Sequence, residues 1–170
     1  VTFSGENIST FTASRNIYIN APINVNGTTA ASGIALKYNQ SGAGVGDYVF
    51  GIGTTGSGAT LAASFNGAIN FATTSSTFTT QSYLTSRNYT LINAFTSTGA
   101  SGTTLYCATA ANCSSSNSLN FALIGNIDAS TFTTTGLAAG SKYANLRSLG
   151  NSSAAYAGTF TGLGHTVTGL

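Results

Sequence analysis

Charge is what this sequence most lacks. Of its 170 residues only 5% are Asp, Glu, Lys or Arg, five basic and three acidic, for a formal net charge of +2. An ordinary soluble domain carries roughly 25%. The basic residues are spread singly, so no patch exists to neutralise a phosphate backbone, and nucleic acid is not an expected partner. No apolar run approaches the ~20 residues of a spanning helix, so membrane insertion is not expected either. Met and Trp are absent, and Pro and His occur once each. The residues that fill exposed helix faces (Leu, Glu, Lys, Arg, Gln, Met) are scarce, and no stretch sustains i, i+3, i+4, i+7 apolar spacing.

Scarcity of ionisable groups also bounds the chemistry. Hydrolysis of a glycoside typically needs two carboxyl groups facing one sugar. The whole supply is Glu6, Asp47 and Asp128, in three distant parts of the chain. His165 has no Gly-x-Ser-x-Gly elbow to serve, and one His with three acids makes no convincing metal site. The chain is therefore expected not to be an enzyme, with no catalytic residue, no cofactor and no metal. The start, Val1-Thr2-Phe3-Ser4-Gly5, lacks a basic segment followed by an apolar core. Either a signal has been removed or the chain is an excised segment.

What is present reads as β structure. There are 22 Ser, 28 Thr and 21 Gly, with 10 Phe and 8 Tyr, and 42% of residues are hydrophobic, far too many for a disordered tail. In Ile17 to Gly27 the residues Ile17, Ile19, Ala21, Ile23 and Val25 share one parity while Tyr18, Asn20, Pro22, Asn24 and Asn26 share the other. Such alternation buries one face of a strand. Pro22 marks a corner between two short strands, and Asn26-Gly27 a turn. Similar short runs beside Gly or Asn turns follow at 61–71, 89–92, 119–129 and 159–167. Thr-Phe-Thr occurs four times, centred on Phe11, Phe78, Phe132 and Phe160. Each Phe is expected to point inward and its two Thr outward. The intervals are irregular, so coils of ~20–30 residues with variable loops fit better than a strict array. The expected core is Phe11, Ile17, Ile19, Ile23, Val25, Phe78, Phe132, Phe160 and Val167. Asn20, Asn24, Asn26, Asn66, Asn70 and Asn126 lie in or beside turns, where stacked amides can hydrogen-bond along a solenoid axis.

The Gly-rich stretch at 41–58 lacks the flanking strand, helix and Lys of a phosphate cradle and is expected to be a loop or β-hairpin outside the coils. Cys107 and Cys113 enclose five residues. They can close a small disulfide loop, with free thiols as the alternative; metal binding would need further ligands. A disulfide implies an oxidising, extracytoplasmic location. Sequons at Asn7, Asn26, Asn88, Asn112 and Asn151 number about what chance predicts from this composition, so they do not argue for glycosylation.

Two regions resemble a known family. Arg15-Asn16-Ile17-Tyr18-Ile19-Asn20-Ala21-Pro22-Ile23-Asn24-Val25-Asn26-Gly27 is similar to the coil repeats of filamentous-haemagglutinin-like adhesins secreted by the two-partner pathway. Tyr89-Thr90-Leu91-Ile92, then Asn126-Ile127-Asp128-Ala129-Ser130, then the closing string Gly158 to Leu170 resemble a block common in the same proteins. The resemblance implies a right-handed parallel β-helix: one all-β solenoid segment over 1–170, secreted to the bacterial surface. It further implies a partner that is a host or neighbouring-cell receptor or glycan, and a role in adhesion or cell aggregation. No shared catalytic residues come with it. Thr166 to Leu170 ends in strand-like pattern without a charged cap, so a self-assembling fibre subunit stacking end to end is the alternative. An ice-binding solenoid or a polysaccharide-active β-helix enzyme ranks lower.

Overall fold

The structure is a computed structural model and describes residues 1–42, 44–51, 67–93, 119–128, 150–151 and 154–169. All regular structure among the described residues is β, with no helix, and no sheet closes on itself. The chain forms two compact units, Val1–Tyr89 and Thr90–Leu170.

In the first unit the strands are β1 (Thr2–Phe3), β2 (Ile8–Thr12), β3 (Ile17–Ile19), β4 (Ile23–Val25), β5 (Gly33–Tyr38), β6 (Tyr48–Phe50), β7 (Ile69–Phe71), β8 (Thr77–Ser82) and β9 (Thr85–Ile92), whose last residues run past the boundary. Pairing is parallel along β1-β4-β7, along β2-β5-β8 and between β3 and β6. The chain therefore visits three sheets in turn and then begins again one strand further along each. Only β9 breaks the pattern, folding back antiparallel on β8.

Alternation explains why these segments are strands and which face they bury. Ile23 and Val25 are buried while Asn24 between them is half-exposed, and Pro22 sits in the bend between β3 and β4. Parallel register stacks like on like: Phe3, Val25 and Phe71 form one inward row, and Ile23 faces Ile69. Ile34, Leu36, Ile69, Val25 and Phe78 are at most 1% exposed. Each such side chain contributes about 1.5–3 kcal/mol on leaving water. Aromatic rings line this interior, Phe78 lying 4.9 Å from Tyr89, 6.1 Å from Phe71 and 6.4 Å from Tyr48.

Polar side chains follow the same stacking. Asn70 Nδ2 donates to Asn24 Oδ1 at 2.7 Å, and Asn24 Nδ2 reaches Thr2 Oγ1 at 3.5 Å, the three residues being in register. At the corners before β5 and β8, buried Ser32 and Ser76 join hydroxyls at 3.2 Å, and Ser32 Oγ donates to the Thr29 carbonyl.

The inward Phe of Thr-Phe-Thr is seen in part. Phe78 is 1% exposed; Phe11 is half-buried between exposed Thr10 and Thr12. The two motifs share a sheet but not a register: Phe11 aligns with Leu36 and thence Thr80, whereas Phe78 aligns with Ile34 and thence Ser9. Of the other expected core residues in this unit, Ile19, Ile23 and Val25 are buried, and Ile17 is half-buried. Phe11 and Ile17 lie on β2 and β3, which with β1 have, among the described residues, a strand neighbour on one side only.

The Gly-rich stretch requires a correction. Tyr48–Phe50, within 41–58, is not loop or hairpin but strand β6, paired parallel with β3 as Ile17↔Tyr48, Tyr18↔Val49 and Ile19↔Phe50. Three strand-favouring residues outweigh the surrounding glycines. Gly42 and Gly44, with φ of 66° and 95°, make the turn before it. Residues 43 and 52–58 lie outside the described residues.

The second unit contains β10 (Asn120–Leu123), β11 (Ile127–Asp128), β12 (Gly150–Asn151), β13 (Ala154–Ala155), β14 (Phe160–Thr161) and β15 (Val167–Thr168). β10 pairs with β14 and β11 with β15, both parallel; β12 and β13 are antiparallel. Ile92, Phe121, Leu123 and Ile127 form the buried cluster, with Tyr156 and Val167 packed against it. Tyr156 also donates to the Leu119 carbonyl at 2.9 Å.

Phe160 is not a core residue. It is 38% exposed, while its neighbours Thr159 and Thr161 are half-buried. β14 is a strand of two residues, in register with Phe121 on one side and without a strand partner on the other among the described residues. Leu163 takes the interior place instead, 1% exposed with φ +50° in the turn closed by His165 N–H on the Gly162 carbonyl at 2.8 Å. Its left-handed backbone costs on the order of 1–2 kcal/mol, comparable with what burying the side chain returns. Phe132, Cys107 and Cys113 lie outside the described residues.

Candidate functional site

Two of the acidic residues are held by scaffold contacts. Glu6 precedes β2, and its carboxylate accepts from the backbone N–H of Thr28 at 3.0 Å, from that of Thr29 at 3.3 Å and from the Thr29 hydroxyl. The hydroxyl bond, then the Thr28 amide, hold its pKa below the usual 4.5. Glu6 is thus a clasp between successive corner loops rather than a proton donor. Asp47 Oδ1 accepts the N–H of Tyr48 at 2.8 Å at the start of β6. Asp128 is on β11, and His165 closes the Gly162–His165 turn through its backbone. Glu6 and Asp47 are therefore each engaged by backbone or hydroxyl donors of the scaffold. Among the described residues no group of three His, Cys, Asp or Glu is placed to hold a metal ion.

The surface with the most organised chemistry is the outer face of the β2-β5-β8-β9 sheet. Register and parity place Thr10, Ala35, Thr79 and Asn88 in one row and Thr12, Lys37, Gln81 and Ser86 in the next, on the face opposite Ile34, Leu36 and Phe78, with Ala35 itself buried. Hydroxyl and amide groups dominate, with Lys37 the one charge in the two rows. Rows on a pleated sheet are about 7 Å apart and strands about 4.8 Å, so the face offers a spaced array of hydrogen-bonding groups.

No protein-family model, curated protein or solved structure matches the chain.

The site is therefore described by its residues alone. The tip of the β8–β9 hairpin is a feature that sequence reading missed. Ser82 pairs with Thr85, leaving a two-residue turn of Tyr83 and Leu84. Tyr83 has φ +44° and is 51% exposed; Leu84 is 85% exposed. Turns of this length favour Asn-Gly or Gly at positive φ, and a bulky residue there costs on the order of 1 kcal/mol. Without a Gly or Asn to mark it, the turn carries no local sequence signal.

Tyr38, at the inner end of β5, is buried, and that burial, then the charge of Asp47, raises its hydroxyl above the usual 10. Tyr18 and Val49 face outward as cross-strand neighbours on β3 and β6, both partly exposed. Of the sequon residues, Asn7, Asn26 and Asn88 are exposed, Asn151 is on β12 and Asn112 lies outside the described residues.

Proposed function

We propose that this chain is a segment of a right-handed parallel β-helix that serves as a structural and adhesive rod in a secreted bacterial surface protein of the filamentous-haemagglutinin-like kind, mediating adhesion or cell aggregation. The observation that carries the reading is the cyclic visit of successive strands to three parallel sheets, with apolar rows inside and Thr and Asn rows outside. Stacked parallel rungs make a long, stiff surface of repeated polar groups, which suits a role in contact rather than turnover. The carboxylates support a structural role too, since Glu6 is occupied by three donors from the next corner loop. The partner would be a receptor or glycan on a host or neighbouring cell, and a Cys107–Cys113 disulfide would suit an extracellular location.

The test is attachment of the purified, fluorescently labelled chain to epithelial and bacterial cells. Saturable attachment, or clumping of cells displaying the chain, is the expected result. Absence of both on every cell type, or turnover of a polysaccharide, would overturn the reading.

A second reading is favoured by one observation. Among the described residues nothing pairs with the outer edges of β1, β2 and β3, and Phe3, Phe11 and Ile17 on those strands are only half-buried. Three coincident edges with partly exposed apolar rows invite another rung, as in a fibre subunit stacking end to end. Electron microscopy separates the two: filaments support the fibre subunit, and short isolated rods support the adhesin segment.

A further inference from the structure

We propose that the ring of Tyr83, at the tip of the β8–β9 hairpin, is a stacking platform for a pyranose glycan. The inference rests on the adhesive reading above and names a ligand class and a residue for it.

Three observations carry it. The first is that the turn departs from what its geometry favours. Position 83 has φ +44° in a two-residue hairpin turn, where Gly or Asn is preferred, yet it carries the largest side chain of the turn and leaves half of it in water. Strain and apolar exposure together at one position are costs to the fold, and such outliers concentrate where a protein makes contact.

The second is that the ring is seated rather than loose. It rests on the β5–β6 loop where Gly42, at φ +66°, has no side chain: a Cβ there would lie 2.7 Å from Tyr83 Cε2, 2.9 Å from Cζ and 3.0 Å from Cδ2. The loop in turn is tied to β5 and β8 by Gln40, whose Nε2 donates to the carbonyls of Tyr38 at 2.8 Å and Gln81 at 3.2 Å. A ring so placed is pre-organised, and little conformational freedom is lost when a ligand lies on it.

The third is the chemistry around it. The residues flanking the turn are Gln81, Ser82, Thr85 and Ser86; by strand alternation Gln81 and Ser86 share a face with Lys37, and Ser82 and Thr85 take the other. These are hydroxyl, amide and ammonium groups without a carboxylate. A pyranose offers one apolar C–H face for an aromatic ring and a rim of hydroxyls for such groups. A purely apolar ligand would leave those polar groups unpaired.

The experiment titrates the full chain with cellohexaose, chitohexaose and mannohexaose, and with an acidic counterpart, polygalacturonate oligomers, by calorimetry. Tyr83→Gly removes the ring while suiting the positive φ, so this variant is expected to fold at least as well as the parent, as read by circular dichroism and melting. Binding of at least one saccharide, weakened roughly 10-fold or more by Tyr83→Gly and kept within about threefold by Tyr83→Phe, is the expected result. No binding across the panel, or equal binding by Tyr83→Gly, would overturn the proposal. Attachment to cells is measured beside it after periodate or protease treatment of the cells. Attachment that survives periodate and is lost to protease identifies a protein partner and also overturns it. In that case the adhesive reading stands; only absence of attachment to untreated cells removes that.

Discussion

At the residue scale, one device recurs in both units. Asn16, Asn120 and Asn126 each stand one residue before the first register pair of a parallel ladder. The Oδ1 of each accepts the backbone N–H of the residue opposite, respectively Asp47 at 3.0 Å, Thr159 at 2.9 Å and Thr166 at 3.0 Å. An amide at the entry of a short strand has no ladder partner of its own, and the Asn side chain supplies one. Asn126→Ala should therefore cost about 1 kcal/mol in urea denaturation. Asn126→Asp keeps the acceptor and should match the parent near neutral pH, losing its advantage over Ala only where the carboxylate is protonated. Equal stability of Ala and parent at all pH would show that water replaces the bond. Glu6 gives the second residue-level prediction. Its pKa is depressed in the fold by the Thr29 hydroxyl and Thr28 amide, so its contribution is complete above the usual 4.5 and is lost as pH falls through the lower folded value. Glu6→Gln should flatten the acid limb of a stability profile taken between about pH 2 and 6; an unchanged limb would assign the acid sensitivity elsewhere.

At the element scale, alternation was legible and register was not. Ile17 to Val25 reads as two strands with a corner at Pro22 because the two parities differ so sharply in polarity. The two-residue offset between the Phe11 and Phe78 motifs has no local signature, since it depends on the lengths of the intervening corners. The strand at Tyr48–Phe50 was hidden by flanking glycines, and the reversal of β9 by a turn of Tyr and Leu. Close packing of neighbouring strands sets another limit that the sequence pattern does not disclose. A Cβ at Gly33 would stand 2.2 Å from the backbone oxygen of Thr77, one strand along in β8, whereas a Cβ at Gly125 meets nothing within 4 Å. Neither glycine has positive φ, so space alone separates them. Gly33→Ala should then destabilise the chain by roughly 3 kcal/mol, because a backbone atom must move. Gly125→Ala should cost nothing and gain a few tenths of a kcal/mol from a stiffer unfolded chain. Melting temperatures of the two variants are the measurement; similar losses would mean that the ladder yields more easily than its spacing implies.

At the scale of the whole molecule, the question is what becomes of the β2 edge, which has no partner among the described residues. Backbone bonding settles which groups face it. Gly33 N–H donates to the Asn7 carbonyl and Ala13 N–H to the Lys37 carbonyl. In a parallel ladder alternate residues bond the same neighbour, so Asn7, Ser9, Phe11 and Ala13 serve β5, while the N–H and C=O of Ile8, Thr10 and Thr12 face away. Those outward groups, with half-buried Phe11, are what another strand would read. Thr10→Pro removes one outward N–H and leaves the β2–β5 bonds intact, which is how natural edge strands are protected. If the chain stacks end to end, Thr10→Pro should melt within a few degrees of the parent but sediment as monomer at concentrations where the parent assembles. Ser9→Pro, one residue earlier, deletes an inward bond and should unfold the edge strand outright, which calibrates the comparison. Should the Thr10→Pro chain assemble as readily as the parent, stacking through β2 is wrong, and the proposed contacts would be made through other faces of the sheets.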